Sequence, residues 1–502
     1  PNIDDVPPES MIHPSRNINL YQGGRESRGG TSKINTTAGY GGQRTMGAYD
    51  YTNSAGSQFQ VVGTTDGKIW KDTTTTIKTG LTTGKFFSFA EMNGKLYIVN
   101  GANRPQVWDG IAASTSDLVL IPTDWTGASF PVQLIVHGRG NSERMWAIGA
   151  KPKTVYASKD NNGTAEADFS DAQVLTFFIE TGDQIGITGG VEFGDRLFLF
   201  SKKRAFMMAD DDLTVANWGY EQAQWQGGAA NHKVIVKIAN NDAMCMTDDG
   251  DIYSFTAVQS YGDYKAASLT RPAFVDKWIR DYIDLTQIAN FHAIYNPILR
   301  FVDFFMDYKG IGTNNNVALR FFLDRPPAEA WMPQDNQISA SGYNASCSFL
   351  FKMGEGNYQV RTGDYSGFIW QLETTNKNDD GAGYYAGFKA PNLHFDLPRI
   401  TKKYKGGWIL TQPKGNFNIS VNTWVDGASK ASVLINLAGV GDVYGTALYG
   451  TAVYGGNDII NKKIQTDSIG KRLQREYFNS NVNEPFFISG VMEDFKPIGS
   501  LP

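Results

Sequence analysis

A five-residue pattern recurs along this chain and limits what it can fold into: a turn residue, glycine, any residue, an aliphatic residue, then an aromatic one. It appears as Asp66-Gly67-Lys68-Ile69-Trp70, Asn93-Gly94-Lys95-Leu96-Tyr97, Asp249-Gly250-Asp251-Ile252-Tyr253 and Ser366-Gly367-Phe368-Ile369-Trp370. A looser copy is Gly194-Asp195-Arg196-Leu197-Phe198. Asp-Gly and Asn-Gly supply the positive φ angles of a tight hairpin turn, and the aliphatic and aromatic residues begin the returning strand. Strand-like runs precede the copies, at 58–62, 86–90, 189–193 and 234–238. Hairpins repeated in this way are the mark of β-propeller blades. A blade of about 40–45 residues fits roughly seven times between residues 46 and 375. The expected fold is therefore an all-β propeller of about five to eight blades. The motif glycines keep no constant period, so insertions must intervene.

Composition agrees with strands and tight turns. The 502 residues include 54 Gly, 30 Phe and 23 Tyr, against little of the Ala/Leu/Glu/Lys pattern of helices. With 41% hydrophobic residues there is enough apolar material for a sizeable core, which excludes global disorder. One helix is expected over 271–285, where apolar residues at 274, 275, 278, 279 and 282 keep helical spacing and Pro272 suits a first turn. No run of about 18 apolar residues exists, so no membrane insertion is expected. Residues 1–16 are polar and proline-rich without an apolar segment, and export by a cleaved signal is not expected. Two cysteines, Cys245 and Cys347, cannot form a disulfide framework and read as reduced core thiols, which suits synthesis in a bacterial host cytoplasm.

Three segments follow from the pattern. Residues 1–45 lack hydrophobic periodicity and read as an extended N-terminal arm; 46–375 hold the propeller; 384–502 form a C-terminal β region, either extra blade strands or a small β-sandwich. The boundary falls in the polar run 376–383. Strands are expected at 408–410, 417–424, 448–454 and 486–491, and the Tyr-Gly near-repeat at 443–455 reads as a surface loop or flat packing stripe.

Each constellation that would carry chemistry fails on its residues. Gly80-Leu81-Thr82-Thr83-Gly84-Lys85 superficially matches a phosphate loop, but it is one residue short and Phe86 stands where Ser or Thr would hold magnesium. His13, His137, His232, His292 and His394 share no metal-ligand spacing and read as hydrogen-bonded or surface imidazoles. Gly-x-Ser-x-Gly is absent. Asp210-Asp211-Asp212 and Asp248-Asp249-Gly250-Asp251 lack the alternation of an EF-hand loop, and the plainer reading is an acidic turn. Paired carboxylates of a glycosidase are possible among 51 acidic residues, yet nothing singles out one pair. Lys202-Lys203-Arg204 and Lys402-Lys403-Tyr404-Lys405 are too short to grip nucleic acid, and the formal net charge is −5. No catalytic residue, cofactor or metal site is assigned, and the chain reads as non-enzymatic.

Several blocks, in order, resemble one family. They are Asn17-Ile18-Asn19-Leu20-Tyr21 with Gly24-Arg25 and Arg28-Gly29-Gly30; Lys153-Thr154-Val155-Tyr156-Ala157-Ser158-Lys159 followed by Ala167-Asp168-Phe169; and Phe193 to Ser201. Further blocks are Gly227-Gly228-Ala229-Ala230 through Tyr253, His292-Ala293-Ile294-Tyr295-Asn296-Pro297, and the run from Asn314 through Val317 and Leu323 to Trp331. The closest single block is Gly363-Asp364-Tyr365-Ser366-Gly367-Phe368-Ile369-Trp370-Gln371-Leu372; Gly470-Lys471-Arg472-Leu473 and Asn483 to Gly490 end the set. Together they resemble the β-propeller tail proteins of short-tailed bacteriophages, the group of tail hub or nozzle and packaged-DNA stabilisation proteins. The resemblance implies a virion protein of the phage tail that forms a ring, most often a hexamer, below the portal and adaptor. It implies partners: other copies of the chain, portal or adaptor proteins, and tail fibre, needle or tip proteins. Double-stranded DNA passes without sequence recognition. The family brings no shared catalytic residues. The alternative is a receptor- or glycan-binding tail protein that stacks sugars on exposed Tyr and Trp; a glycan-cleaving propeller is a third.

Overall fold

A computed structural model describes residues 11–21, 23–127, 129–138, 143–161, 166–182, 185–210, 212, 214–239, 242–258, 263–335, 344–439 and 459–498. The near-repeat at 443–455 and the expected strand at 448–454 lie outside the described residues. Contacts divide the chain into two compact units: Lys33–Ala328 with Tyr343–Gln371, and Pro1–Ser32 with Glu329–Gly342 and Leu372–Pro502.

Strands come first near the N-terminus: β1 (Ile12–Arg16), β2 (Ile18–Tyr21), β3 (Gly24–Ser27) and β4 (Gly30–Lys33). Seven four-stranded antiparallel sheets follow. Blade 1 is β5 (Thr45–Thr52), β6 (Gln58–Thr64), β7 (Ile69–Lys71) and β8 (Thr75–Lys78). Blade 2 is β9 (Ser88–Met92), β10 (Lys95–Val99), β11 (Gln106–Trp108) and β12 (Ser116–Asp117). Blade 3 is β13 (Gln133–His137), β14 (Arg144–Lys151), β15 (Thr154–Ala157) and β16 (Leu175–Phe178). Blade 4 is β17 (Gly189–Phe193), β18 (Arg196–Phe200), β19 (Arg204–Ala209) and β20 (Gly219–Gln226). Blade 5 is β21 (Ile235–Ala239), β22 (Asp242–Met246), β23 (Ile252–Val258) and β24 (Asp263–Ser268), and the helix α1 (Val275–Tyr282) comes after it. Blade 6 is β25 (His292–Asn296), β26 (Phe301–Met306), β27 (Val317–Phe322) and β28 (Trp331–Asp335). Blade 7 is β29 (Cys347–Gly354), β30 (Asn357–Gly363) and β31 (Ile369–Thr374), with β4 as its fourth strand.

The first strands of the blades touch in the cycle β5, β9, β13, β17, β21, β25, β29 and back to β5, so the sheets form a closed β-propeller. Seven blades fall within the expected range. The core lies in the seams between blades. Met46, Val61 and Ile69 of blade 1 pack with Leu96, Ile98 and Trp108 of blade 2. Trp146 and Val155 pack with Leu197 and Phe206 across the next seam but one. Ala48 and Val62 meet Cys347, Phe349 and Ile369 where the ring closes. Both cysteines are unbridged and buried, and burial pushes both thiols up.

One sequence motif serves two different turns. Asn93-Gly94 and Gly194-Asp195 have positive φ at both residues and join first to second strands, with Met92 opposite Lys95 and Phe193 opposite Arg196. That is the two-residue turn whose twist matches the flanking strands. Gly67, Gly250 and Gly367 instead turn second strands into third ones. There a polar residue at the strand end braces the loop: Thr64 accepts from Trp70 Nε1 at 3.0 Å, and Asp364 Oδ2 accepts from Trp370 Nε1 at 3.0 Å. Because the copies sit at unequal places in their blades, their glycines keep no constant period.

Residues 271–285 hold a 3₁₀ turn (Arg271–Ala273) and then α1. Phe274 has left-handed φ of 56° and separates the two, so the helix is shorter than the apolar spacing implies.

The second unit contains β32 (Ala386–Lys389), β33 (Thr401–Thr411), β34 (Asn418–Val425), β35 (Ala428–Ser429), β36 (Val433–Asn436), β37 (Ile460–Gly470), β38 (Leu473–Asn479) and β39 (Phe487–Ile498). One sheet runs β1-β32-β38-β34-β35, with β36 also on β34; the other runs β2-β3-β39-β33-β37. Tyr404 and Phe495 of the second sheet pack with Val425 and Leu473 of the first, which makes a two-sheet sandwich. The segment read as an extended arm is thus partly strand: β1 pairs β32, and β3 places Arg25 opposite Ile488. Arg28 is buried and bidentate to Asp379 at 2.9 and 2.6 Å, and its guanidinium also lies 4.0 Å over the Tyr384 ring.

Candidate functional site

The inner strands of the propeller all start at one axial end, and the residues just before them meet there. Arg44 precedes β5, Phe86 precedes β9, Lys233 precedes β21, and Asn290 precedes β25, whose first residue is His292. Loops between second and third strands add Asn315 from blade 6 and Tyr365 from blade 7.

Lys233 of blade 5 reaches to the far side of the ring. Its Nζ lies 3.0 Å from the centroid of Phe86, and it donates to the Ala289 carbonyl at 2.6 Å. Blades 5 and 2 stand on opposite sides of a seven-membered cycle, so this contact closes the bore at that end. Arg44 donates to Asn290 Oδ1 at 3.2 Å and lies over the Tyr365 ring at 4.2 Å and the Phe86 ring at 5.4 Å. Cations over aromatic faces gain from the ring quadrupole. Neither Arg44 nor Lys233 forms an ion pair with a carboxylate among the described residues.

Burial, and then the neighbouring Arg44, hold the Lys233 amine well below its usual range. Lys233 is enclosed by protein yet keeps solvent contact, as a side chain lining a narrow bore does. His292 is 4% exposed, and burial followed by the charge of Lys233 pushes it down to about 3. Its ring stays neutral at pH 7. His292 Nδ1 lies 3.3 Å from Asn315 Nδ2, which also reaches the Asn290 and Ala345 carbonyls at 2.9 and 3.0 Å. His292 Nε2, Asn315 Oδ1 and Arg44 Nε are buried and have no hydrogen-bond partner.

This cluster is not visible in the sequence, where His232 and His292 read as ordinary imidazoles and nothing singles out Arg44 or Lys233. Phe86 stands out there only as the residue that spoils the phosphate-loop pattern. That loop runs into a strand and not a helix, and its Gly84 amide donates to the Thr65 carbonyl at 2.8 Å.

The other marked residues disperse. Asp210 accepts from His137 Nε2 at 3.0 Å, Asp212 holds the amide of Thr214, and Asp211 lies outside the described residues. Asp249 accepts from Thr247, and Asp251 from Ser268 at 2.7 Å, both within a blade 5 hairpin. Lys203 pairs with Asp248 at 2.7 Å. Along β33 the basic run splits between two faces: Lys402 is buried and donates to three carbonyls, Lys403 faces Asp467, and Lys405 is exposed. Among the described residues no group of three His, Cys, Asp or Glu could hold a metal ion. No helix among them is long and apolar enough to cross a membrane.

No protein-family model and no curated protein matches the chain. Among solved structures, BBS1N in complex with ARL6DN aligns with a TM-score of 0.41 at 8% identity, over 72% of this chain and 98% of that one. The N-terminal domain of Nup159 aligns with a TM-score of 0.38 at 10% identity, over 72% of this chain and 99% of that one.

Proposed function

We propose that this chain is a non-enzymatic structural protein of a short-tailed phage tail. In this reading it assembles with other copies of itself into a ring, hexameric as the resemblance implies, and extends or plugs the DNA conduit beneath the portal or adaptor.

 The reading rests on one observation: blocks that resemble the family follow one another in order along blades 3 to 7, with further blocks on the strands of the second unit. The block at 153–159 lies on blade 3, 193–201 on blade 4, 249–253 on blade 5, 292–297 on blade 6 and 363–372 on blade 7.

Three physical features support a mechanical role. Each blade packs broadly on the next and the ring closes on itself, so the wheel is stiff and hides its inner strand edges. The contact of Lys233 with Phe86 blocks the propeller's own bore, so a duplex would pass between copies and not through one chain. A net-acidic chain also avoids the counterion-releasing grip that would stall a moving duplex. Portal or adaptor proteins on one side, and fibre, needle or tip proteins on the other, are the partners of this reading.

The test is electron microscopy of the purified full chain and of virions that carry it. The expected result is a closed ring with an open lumen, and density for that ring on the tail axis. A monomer at high concentration, together with virions that lack the chain, would overturn the proposal. Saturable binding to a glycan array by that monomer would favour the receptor-binding alternative.

A further inference from the structure

The axial mouth holds two basic side chains, Arg44 and Lys233, with no carboxylate paired to either among the described residues. Such an arrangement costs free energy twice, through desolvation and through like-charge repulsion. Two nitrogens there, Arg44 Nε and His292 Nε2, are buried without partners; the unpartnered Asn315 Oδ1 beside them is an acceptor and takes no part in holding an anion. Native proteins rarely leave such atoms unpaired, and clusters of them mark places where something else binds. His292 is itself 4% exposed and lies within electrostatic reach of both cations. Lys233, though enclosed, keeps solvent contact.

We propose that this mouth binds a compact oxyanion of the phosphate class, with Arg44 and Lys233 as its charge partners and His292 as a neutral hydrogen-bonding group. The donors come from blades 1, 5 and 6, which suits an anion with oxygens pointing several ways. Phe86 closes the bore against Lys233, which limits the ligand to an ion and excludes a nucleic-acid duplex. A bound anion would join blades across the ring and stiffen it, because it stabilises only the folded form. The inference does not depend on the tail reading.

Inorganic phosphate is the probe. Calorimetric titration and thermal melts of the full chain are run in phosphate and in chloride at equal ionic strength and pH. The expected result is saturable binding and a Tm that rises with phosphate beyond the chloride control. Lys233→Met should weaken binding at least tenfold, Lys233→Arg should retain it, and Lys463→Met, on β37, should leave it unchanged. Where Lys233→Met fails to fold, Arg44→Gln takes its place. Absence of saturable binding to the wild-type chain would overturn the proposal, as would equal binding by the wild type and Lys233→Met.

Discussion

Two buried arginine–carboxylate pairs, Arg320–Asp303 in the propeller unit and Arg475–Glu493 in the sandwich unit, are made differently. In the propeller, Asp303 of β26 and Arg320 of β27 stand directly opposite in register. Arg320 Nε and Nη2 reach the two carboxylate oxygens at 2.8 Å each, and the guanidinium lies 3.5 Å from the Phe301 ring centroid. In the sandwich, Arg475 of β38 must reach Glu493 of β39 on the facing sheet. Nη2 donates to Oε2 at 3.0 Å, but Nε, though 2.8 Å from Oε1, is not aligned for a hydrogen bond. Burial outweighs the guanidinium and pushes Glu493 up to about 7. The hairpin register of Asp303 and Arg320 gives fork-to-fork geometry, which Arg28 and Asp379 also reach, whereas Arg475 makes a single aligned bond to Glu493 and leaves that carboxyl raised by burial.

The largest expected effect breaks the well-made pair. Arg320→Met leaves Asp303 buried alone and should cost ~3–5 kcal/mol, read from urea unfolding. Arg475→Met should cost less, because Glu493 takes up a proton more readily; equal losses would remove the distinction.

Next come the turns. An added Cβ on Gly67, at φ +74°, would lie 2.0 Å from the Leu81 carbonyl oxygen. Gly67→Ala should therefore cost about 3 kcal/mol in the same assay, from backbone strain and a clash that no rotamer relieves.

A smaller effect concerns pH. A carboxyl raised from 4.5 to about 7 in the folded chain keeps its proton where the unfolded chain has lost it. Its contribution to stability is therefore full below pH ~4.5 and declines as the pH rises through ~7. The wild type should lose on the order of 2 kcal/mol between pH 5 and 8 that Glu493→Gln does not lose. Parallel pH profiles of the two would show Glu493 to be ionised throughout.

The smallest effect is in the sandwich hairpin between β34 and β35. Gly427 has φ +79° and open space around it. Gly427→Ala should cost only ~1 kcal/mol, the strain of a left-handed backbone without a clash. A loss matching that of Gly67→Ala would show that the nearby carbonyl is not what makes the blade turn costly.

What the sequence reveals follows from the range of the contacts. Hairpins are local, so Asp66-Gly67 and Asn93-Gly94 announce the blades, and the blade count follows from length. The two turn types behind the motif stay hidden, because Thr64 and Asp364 brace their loops through tertiary geometry that the pattern does not record. Arg44, Phe86, Lys233, His292 and Asn315 come from four blades, and no spacing links them. The sandwich is equally hidden in part: its C-terminal strands show apolar alternation, but nothing in residues 12–27 announces which strands they join.

That last feature bears on how the chain is made. Strands β1 and β3 leave the ribosome long before their neighbours β32 and β39, which come from residues 386–389 and 487–498. Throughout synthesis these early segments present unsatisfied backbone groups, open to pairing with other nascent chains. The sandwich can therefore close only after β39 has emerged, and translation that pauses between residues 386 and 498 should yield aggregates before it yields a misassembled wheel.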